Sequence, residues 1–528
     1  MDKSSLPDSE SVRALEEKTS SFQSDLRPVY NSEVDTSGVD EKKLIRKIDF
    51  ALIPWFSLLF MLSFLDRTSI GNAKLYHMEA DLNITDSQYL IALTVFFIAY
   101  ATFEIPSNII LKRFRPAVWF STIMIGWGLI MTLQGVAHNF GGITTLRWML
   151  GTFEAGLYPG IVYHSSSWYK RSELGLRAAI FTSATGAGAF GGLLAAAISN
   201  MGGIAGRPAW AWIFILEGLV TIVVGILSFW FVQDFPDTAK FLTEEERTFV
   251  IRRLQDDGLF SAGGERIRWK SIVASLKEKK TWINMVQVMG CNMPLYAFSL
   301  FTPSIVSQVC HTWFVQCSLG VESNLLNLLG FKATKANLMS VPIYVSAAIM
   351  TVIVAVWVDR YGNRGMWNIA LLLLSAIGYV ILLVSKNAPL SYFAVYVASW
   401  GIFPAVPNTV TWIANNNEGS VKRGVTLAAA IGMGNLHGAV SSNVYRARDQ
   451  PRYHLGHGLV LMYICMGIIA NSLFLYLIRK ENARRDRGER DEVIGPETLA
   501  DNGNGRFETV EDAKREKGDN WSGYRYVL

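Results

Sequence analysis

About twelve apolar runs, each near twenty residues long, recur between Lys47 and Ile478. A helix needs about 20 apolar residues to cross a hydrocarbon core of about 30 Å. Lipid offers no partner to an unpaired backbone group, so each run is read as a helix that bonds within itself. Of the 528 residues, 50% are hydrophobic and only 18% charged, where a soluble chain of this length shows amphipathic alternation instead. The predicted class is an all-α membrane protein with twelve transmembrane helices.

The flanks differ from this body. Residues 1–46 are Ser-rich and acidic, without the basic start and short apolar core of a signal peptide, and are expected to form a disordered cytosolic tail. Residues 480–528, opening "RKENARRDRGERDE", are charged and Gly-containing in the same way and are read as a second tail. Basic residues gather in alternate connections: "KKLIRK", "LKRFRP", "YKRSELGLR", "DRYGNR" and "EGSVKR". The positive-inside bias puts these, and both termini, in the cytosol; only "YRARDQPRYH" runs against it. A charged linker, 234–281, separates one set of six spans (47–233) from another (282–479), and its "TEEERTFVIRRLQ" portion has an N-cap and helical spacing. Two six-helix halves around a central site are the architecture of secondary transporters.

Several function classes are excluded. A net charge of +5 carried beside membrane spans reports orientation and attraction to the lipid bilayer, so no nucleic acid partner is expected. Cys291, Cys310, Cys317 and Cys465 lack the paired spacing of a metal site, and neither metal nor cofactor is expected. "TSATGAGAFGGLLAAA" is no phosphate loop: it lies within a span and no Lys-Ser or Lys-Thr follows. Its small residues let helices approach closely. With no metal-spaced histidines and no nucleophile beside a base, an enzyme is not expected.

The stretch "LRWMLGTFEAGLYPG" buries Arg147 and Glu154 seven residues apart, which on a helix leaves them roughly 20° apart in azimuth. An ionised side chain near the bilayer centre costs about 2.5–3.5 kcal/mol on insertion scales, so such residues face a cavity or one another. Arg147 and Glu154, with Asp66 and Arg67 of the first span, are expected on the wall of a central cavity. The alternatives are a purely structural pair on the fourth span and an interfacial cap at Asp66 and Arg67. Tyr296 and Asn408 sit near Pro294, Pro404 and Pro407, where broken helices line cavities, and are candidate substrate contacts. Glu104, Glu217 and His164 are read as structural, the first near the cytosolic end and the second near the outer end. Asn83 of "NIT" is a candidate glycosylation acceptor. "WVDRYGNRG", after the eighth span, matches the position of "LKRFRP" after the second; its Asp359, Arg360, Gly362 and Arg364 read either as a hinge-like gating clasp or as a plain stop-transfer signal.

Together, "FLDRTSIGNAKL", "RWMLGTFEAGLYPG", "WIFILEGL", "WVDRYGNR" and "WIANNNEGSVKRG" resemble the major facilitator superfamily, specifically its anion:cation symporter branch and the fungal allantoate and nicotinate permease group. The resemblance runs from about Lys43 to Arg487. It implies the major facilitator fold and a monomeric plasma-membrane symporter for protons and a small organic anion, such as allantoate, nicotinate or a related vitamin or nitrogen source. It assigns proton coupling to Asp66 and Glu154, and anion binding with charge balance to Arg67 and Arg147. A non-transporting nutrient receptor of the same fold and an uncoupled uniporter are the rival readings. One departure from the group is the segment Val309 to Leu328, placed where relatives run almost directly from the seventh span into "LGFKATKANLMSVP". It reads as an extracellular insertion closed by Cys310 and Cys317, or as a translated short intron, which transcript reads across the junction distinguish.

Overall fold

The computed structural model describes residue 31 and residues 33–528 except 112–113, 184–187, 257–272, 274, 318–330, 418–419, 450–452 and 496–502, together with most side chains of those residues. Its first half comprises α1 (Glu41–Leu75), α2 (Asp86–Leu111), α3 (Pro116–Gln134), α4 (Phe140–Glu154), α5 (Leu157–Ser166), α6 (Arg171–Ser183), α7 (Gly188–Ile198) and α8 (Ala209–Phe231). The linker carries α9 (Glu244–Asp256). The second half comprises α10 (Lys279–Cys317), α11 (Phe331–Tyr361), α12 (Arg364–Val384), α13 (Ala388–Asn415), α14 (Ser420–Leu436) and α15 (His454–Asp486).

Among the described residues, eight helices, α1, α2, α3, α8, α11, α12, α13 and α15, are each long and apolar enough to cross a bilayer. The other four crossings are α4 with α5, α6 with α7, the polar-studded α10, and α14. Among the described residues, these make twelve membrane crossings in two halves of six. The fourth crossing breaks at Gly156, where a Cβ would stand 2.0 Å from the Ser107 hydroxyl of α2; only a residue without a side chain lets α2 lie this close.

Within the halves, α3 packs along α8, α12 along α13, and α10 along α14 and α15. Between them, α6 and α7 meet α11, α6 meets α13, and α2 meets α14. The described start of the chain, from residue 31, and its closing residues lie on one face of the bundle, here called the terminal face. There Gly175 of α6 abuts Arg364 and Thr411 of the second half. Toward the opposite face, Gly71 of α1 abuts the Leu300 carbonyl of α10. Contacts between the halves thus close the body at both ends.

The linker helix starts with a reciprocal capping box: the Thr243 N–H donates to Glu246 (3.0 Å) and the Glu246 N–H to the Thr243 hydroxyl (3.3 Å). Its Arg253 bonds Glu41 at 2.7 Å and also Glu173, while Glu246 pairs with Lys47 at 2.6 Å. The helix is therefore fastened to the terminal face of the first half. Residues 31 and 33–40, placed within the expected disordered tail, are held there too, since Arg252 donates to the Asn31 carbonyl and the Thr36 hydroxyl. The first thirty residues lie outside the described ones.

At the other end, the structure departs from the tail expectation. After α15 come a parallel strand pair, β1 (Val493–Ile494) with β2 (Arg506–Phe507), and α16 (Val510–Lys517). Beyond α16, Tyr524, Tyr526 and Leu528 pack with Trp412, Phe474 and Ile478. The overall charge of the segment masks these few apolar anchors. Of the atypical segment, Val309–Cys317 continue α10; residues 318–330 and the side chains of Cys310 and Cys317 lie outside the described residues, as does the expected disulfide.

Candidate functional site

The two halves enclose a cavity of about 50 Å³ whose wall includes Arg67, Tyr100, Asn292, Tyr296, Phe403 and Asn435. A water needs about 10–15 Å³ by such a measure, so the closed body leaves room for a few small groups.

Arg67 organises this wall. Its guanidinium pairs with Glu154 Oε1 at 2.5 Å, with a second bond from Nε at 3.1 Å, and the Ser63 hydroxyl donates to the same oxygen at 2.5 Å. A third guanidinium nitrogen donates to the Tyr296 hydroxyl at 3.1 Å; Tyr296 donates to Asn435 Oδ1 at 2.6 Å, and Asn435 Nδ2 to Glu104 Oε2 at 3.0 Å. This polar chain leaves the first half at Glu154, crosses the second through Tyr296 and Asn435, and returns to the first at Glu104. The Arg67 charge also lies over the rings of Tyr100 (4.9 Å) and Phe96 (5.3 Å), within cation–π range. Charge-assisted bonds of this kind are about twice as strong as neutral ones, and a guanidinium fork matches a carboxylate in two-point contact.

Of the residues expected on the wall, Arg67 and Tyr296 lie on it and Glu154 stands directly behind Arg67. Asp66 does not reach the wall. Neighbouring positions on a helix are about 100° apart, so with Arg67 inward Asp66 faces α3 and α8, where it accepts from Trp127 Nε1 (2.9 Å) and the Thr221 hydroxyl (2.9 Å). One turn on, Ser69 of α1 donates to Glu217 of α8, completing a ladder in which each helix gives one hydroxyl and one carboxyl. Arg147 is absent from the wall as well. It is fully buried, its charge lies 4.7 Å from the Phe96 ring centre, and none of its three guanidinium nitrogens meets a hydrogen-bond acceptor among the described residues. The shared helical face of Arg147 and Glu154 holds, but Arg67, arriving from α1, takes the carboxylate.

Asn408 is also displaced from the expected site. It belongs to a polar knot at the terminal face: Arg364 donates to Asn408 Oδ1 (3.1 Å), Asn408 Nδ2 to the Arg364 carbonyl (3.2 Å) and to Asn368 Oδ1 (2.7 Å). Arg364 also pairs with Asp359. Gly362, with φ +70°, makes the turn between α11 and α12, and Arg360 is exposed. The proline-based signal located a hinge region and could not separate its two levels.

Sequence reasoning missed Tyr100, Asn292 and Asn435. Single polar residues in apolar runs were the available signal, and many such residues only pack. Glu104, expected near one end, instead closes the polar chain at the cavity.

The Major Facilitator Superfamily model matches residues 56–442. The MFS-type transporter cnsO of Penicillium expansum is 34% identical over 463 residues, covering 85% of this chain and 86% of its own. The high-affinity nicotinic acid transporter of Saccharomyces cerevisiae is 29% identical, covering 84% and 79%. Among solved structures, a proton:xylose symporter, XylE, bound to 6-bromo-6-deoxy-D-glucose matches with TM-score 0.59 at 16% identity, covering 82% of this chain and 96% of its own; at that identity it speaks for the fold alone. Fold, relatives and family model agree that this chain is a multi-pass transporter, not an enzyme, and belongs to the Major Facilitator Superfamily.

Proposed function

We propose that this chain imports a small organic anion, a carboxylate of the nicotinate or allantoate kind, together with protons. The observation that carries this reading is the Arg67–Glu154 pair at the cavity. A substrate carboxylate entering the cavity competes with Glu154 for the Arg67 fork. A proton on Glu154 removes its claim, so proton and anion bind in support of each other, and loss of the proton restores the pair and displaces the anion. Tyr296 orients the guanidinium from the second half, linking occupancy to the relative position of the halves. Arg147, a buried cation without an acceptor among the described residues, supplies further positive potential to the same region. Asp66 is the second proton-carrying group of the reading, from its position behind the wall.

The terminal face is assigned to the cytosol on the basic residues of its connections, and a monomer in the plasma membrane is the proposed setting. Asp359, Arg360, Gly362 and Arg364, now joined by Asn408, form the gating knot on that face. The nicotinic acid transporter among the relatives supports the substrate class. The test is uptake of radiolabelled nicotinate, competed by a panel of small carboxylates, at two external pH values in cells lacking their own permeases. Accumulation that rises on external acidification and falls in Glu154→Gln supports the reading. Glu154→Gln protein that still concentrates the solute under a proton gradient overturns it.

A further inference from the structure

The last residues of the sequence occupy a groove built for an extended peptide. Two asparagines, one on α15 and one just past α13, each pair with one backbone residue in both directions. Asn482 of α15 donates to the Tyr526 carbonyl (2.9 Å) and accepts from the Tyr526 N–H (2.9 Å). Asn416, just past α13, donates to the Val527 carbonyl (3.0 Å) and accepts from the Val527 N–H (2.8 Å). Successive residues of an extended chain present their polar groups to opposite sides, so the two amides act as the neighbouring strands of a sheet. Trp412 Nε1 adds a bond to the Val527 carbonyl (2.8 Å), and Arg485 one to the Tyr524 carbonyl (2.8 Å).

Side-chain recognition is equally specific. The Tyr526 ring is buried between the charges of Lys280 (4.5 Å) and Arg485 (4.7 Å). Asp519 is 1% exposed and bonded by Lys280 (2.8 Å) and Lys422 (2.6 Å). These partners lie on α10, α13, α14 and α15 or directly after α13, all in the second half.

The groove has a mechanical context. Pro404 and Pro407 interrupt the bonding ladder of α13, and the arm beyond them carries Thr411, which meets Gly175 of the first half at the terminal face. The far end of that arm, at Asn415 and Asn416, is where the closing segment attaches, with Tyr524 donating to the Asn415 carbonyl (2.8 Å). We propose that this groove is a recognition site for an extended Tyr-Arg-Tyr-Val-Leu peptide, filled by the chain's own Tyr524–Leu528, and that the bound segment is a strap holding the α13 arm so that the terminal face stays closed. Release of the strap frees the arm to swing at Pro404 and Pro407 and opens that face more often.

The test uses protein with its native cysteines replaced by serine and a reporter, Ala355→Cys, on the seam between the halves near Arg364. Deleting Trp521–Leu528 is expected to speed labelling by a membrane-impermeant thiol reagent applied to the terminal face at least about fivefold, the shift that losing one ordinary net hydrogen bond brings. A synthetic DNWSGYRYVL peptide is expected to slow it again, and a scrambled peptide is not. Should the shortened protein fail to fold, Asn482→Ala in the full chain is expected to raise the rate in the same direction. Equal labelling rates with and without the segment, or in Asn482→Ala, overturn the strap; equal protection by the scrambled peptide overturns the recognition site. Labelling needs no substrate, so failure here is distinct from failure of the transport reading.

Discussion

Arg67 of the first half and Tyr296 of the second are joined by a 3.1 Å hydrogen bond at the cavity wall, and the same guanidinium holds Glu154 at 2.5 Å. One cation therefore reads both the nearby carboxylate and the position of the opposite half. Arg67→Lys keeps the charge but loses the planar fork. It is expected to lower uptake efficiency by about tenfold or more, from loss of a charge-assisted bond of about 1.5–3 kcal/mol. Tyr296→Phe keeps the ring and removes only the hydroxyl bridge, for a smaller loss of about fivefold, or about 1 kcal/mol. Initial-rate uptake across substrate concentrations measures both.

The ladder between α1 and α8 makes a different prediction. Asp66 and Glu217 accept from Thr221, Trp127 and Ser69, and neither forms an ion pair among the described residues. Glu217→Gln retains an acceptor for Ser69, so thermal unfolding in detergent is expected within about 1 kcal/mol of the parent protein. Glu217→Ala leaves the Ser69 hydroxyl its bond to the Leu65 carbonyl (2.8 Å) but removes the link between α1 and α8 and opens a small cavity there, and is expected to cost about 1–3 kcal/mol. Equal melting temperatures for the two variants contradict this account.

The apolar runs carried the fold because lipid permits few alternatives, and the Arg147 to Glu154 spacing carried one face of α4. The partner of Glu154 was out of reach: it comes from α1, and the order in which helices pack around the cavity is a property of many side chains at once. Asp66 was different, since its adjacency to Arg67 already meant that the two point about 100° apart and cannot both line one wall. The closing segment was misjudged for a third reason. Its charges dominate any average, whereas the segment docks because two asparagines far away in sequence meet the backbones of Tyr526 and Val527. The knot at Asn408 similarly depends on Arg364, 44 positions away.

Gly175 tests the seam at the terminal face. A Cβ there would stand 2.9 Å from a guanidinium nitrogen of Arg364 and 3.1 Å from the Thr411 methyl. Arg364 has little freedom to retreat, being bonded to both Asp359 and Asn408. Gly175→Val is expected to part the halves on this face and to raise thiol labelling of Ala355→Cys several-fold, about 1 kcal/mol of overpacking being sufficient. Gly175→Ala adds only the Cβ itself, without the two further methyl groups of valine, and is expected to fall between parent and valine variant. An unchanged rate in Gly175→Val removes the close approach as a determinant of closure.

The docked closing segment also predicts a pH response, with its sign fixed by Asp519. Burial opposes ionisation of this carboxyl, but Lys280 and Lys422 outweigh it and hold the carboxyl below its ordinary value. A depressed folded-state value means that docking gains stability above the unfolded value, about 3.9, and loses it as the pH falls through the lower docked value. The strap is therefore expected to stay docked from neutral pH down to about 4 and to loosen below that. A nitroxide on Ser522→Cys reports this as a change from restricted to mobile spectra. Asp519→Asn is expected to give a more mobile label already at neutral pH, with the acid-induced step reduced. A label whose mobility is the same in both proteins at every pH shows that the lysine pair does not hold the segment.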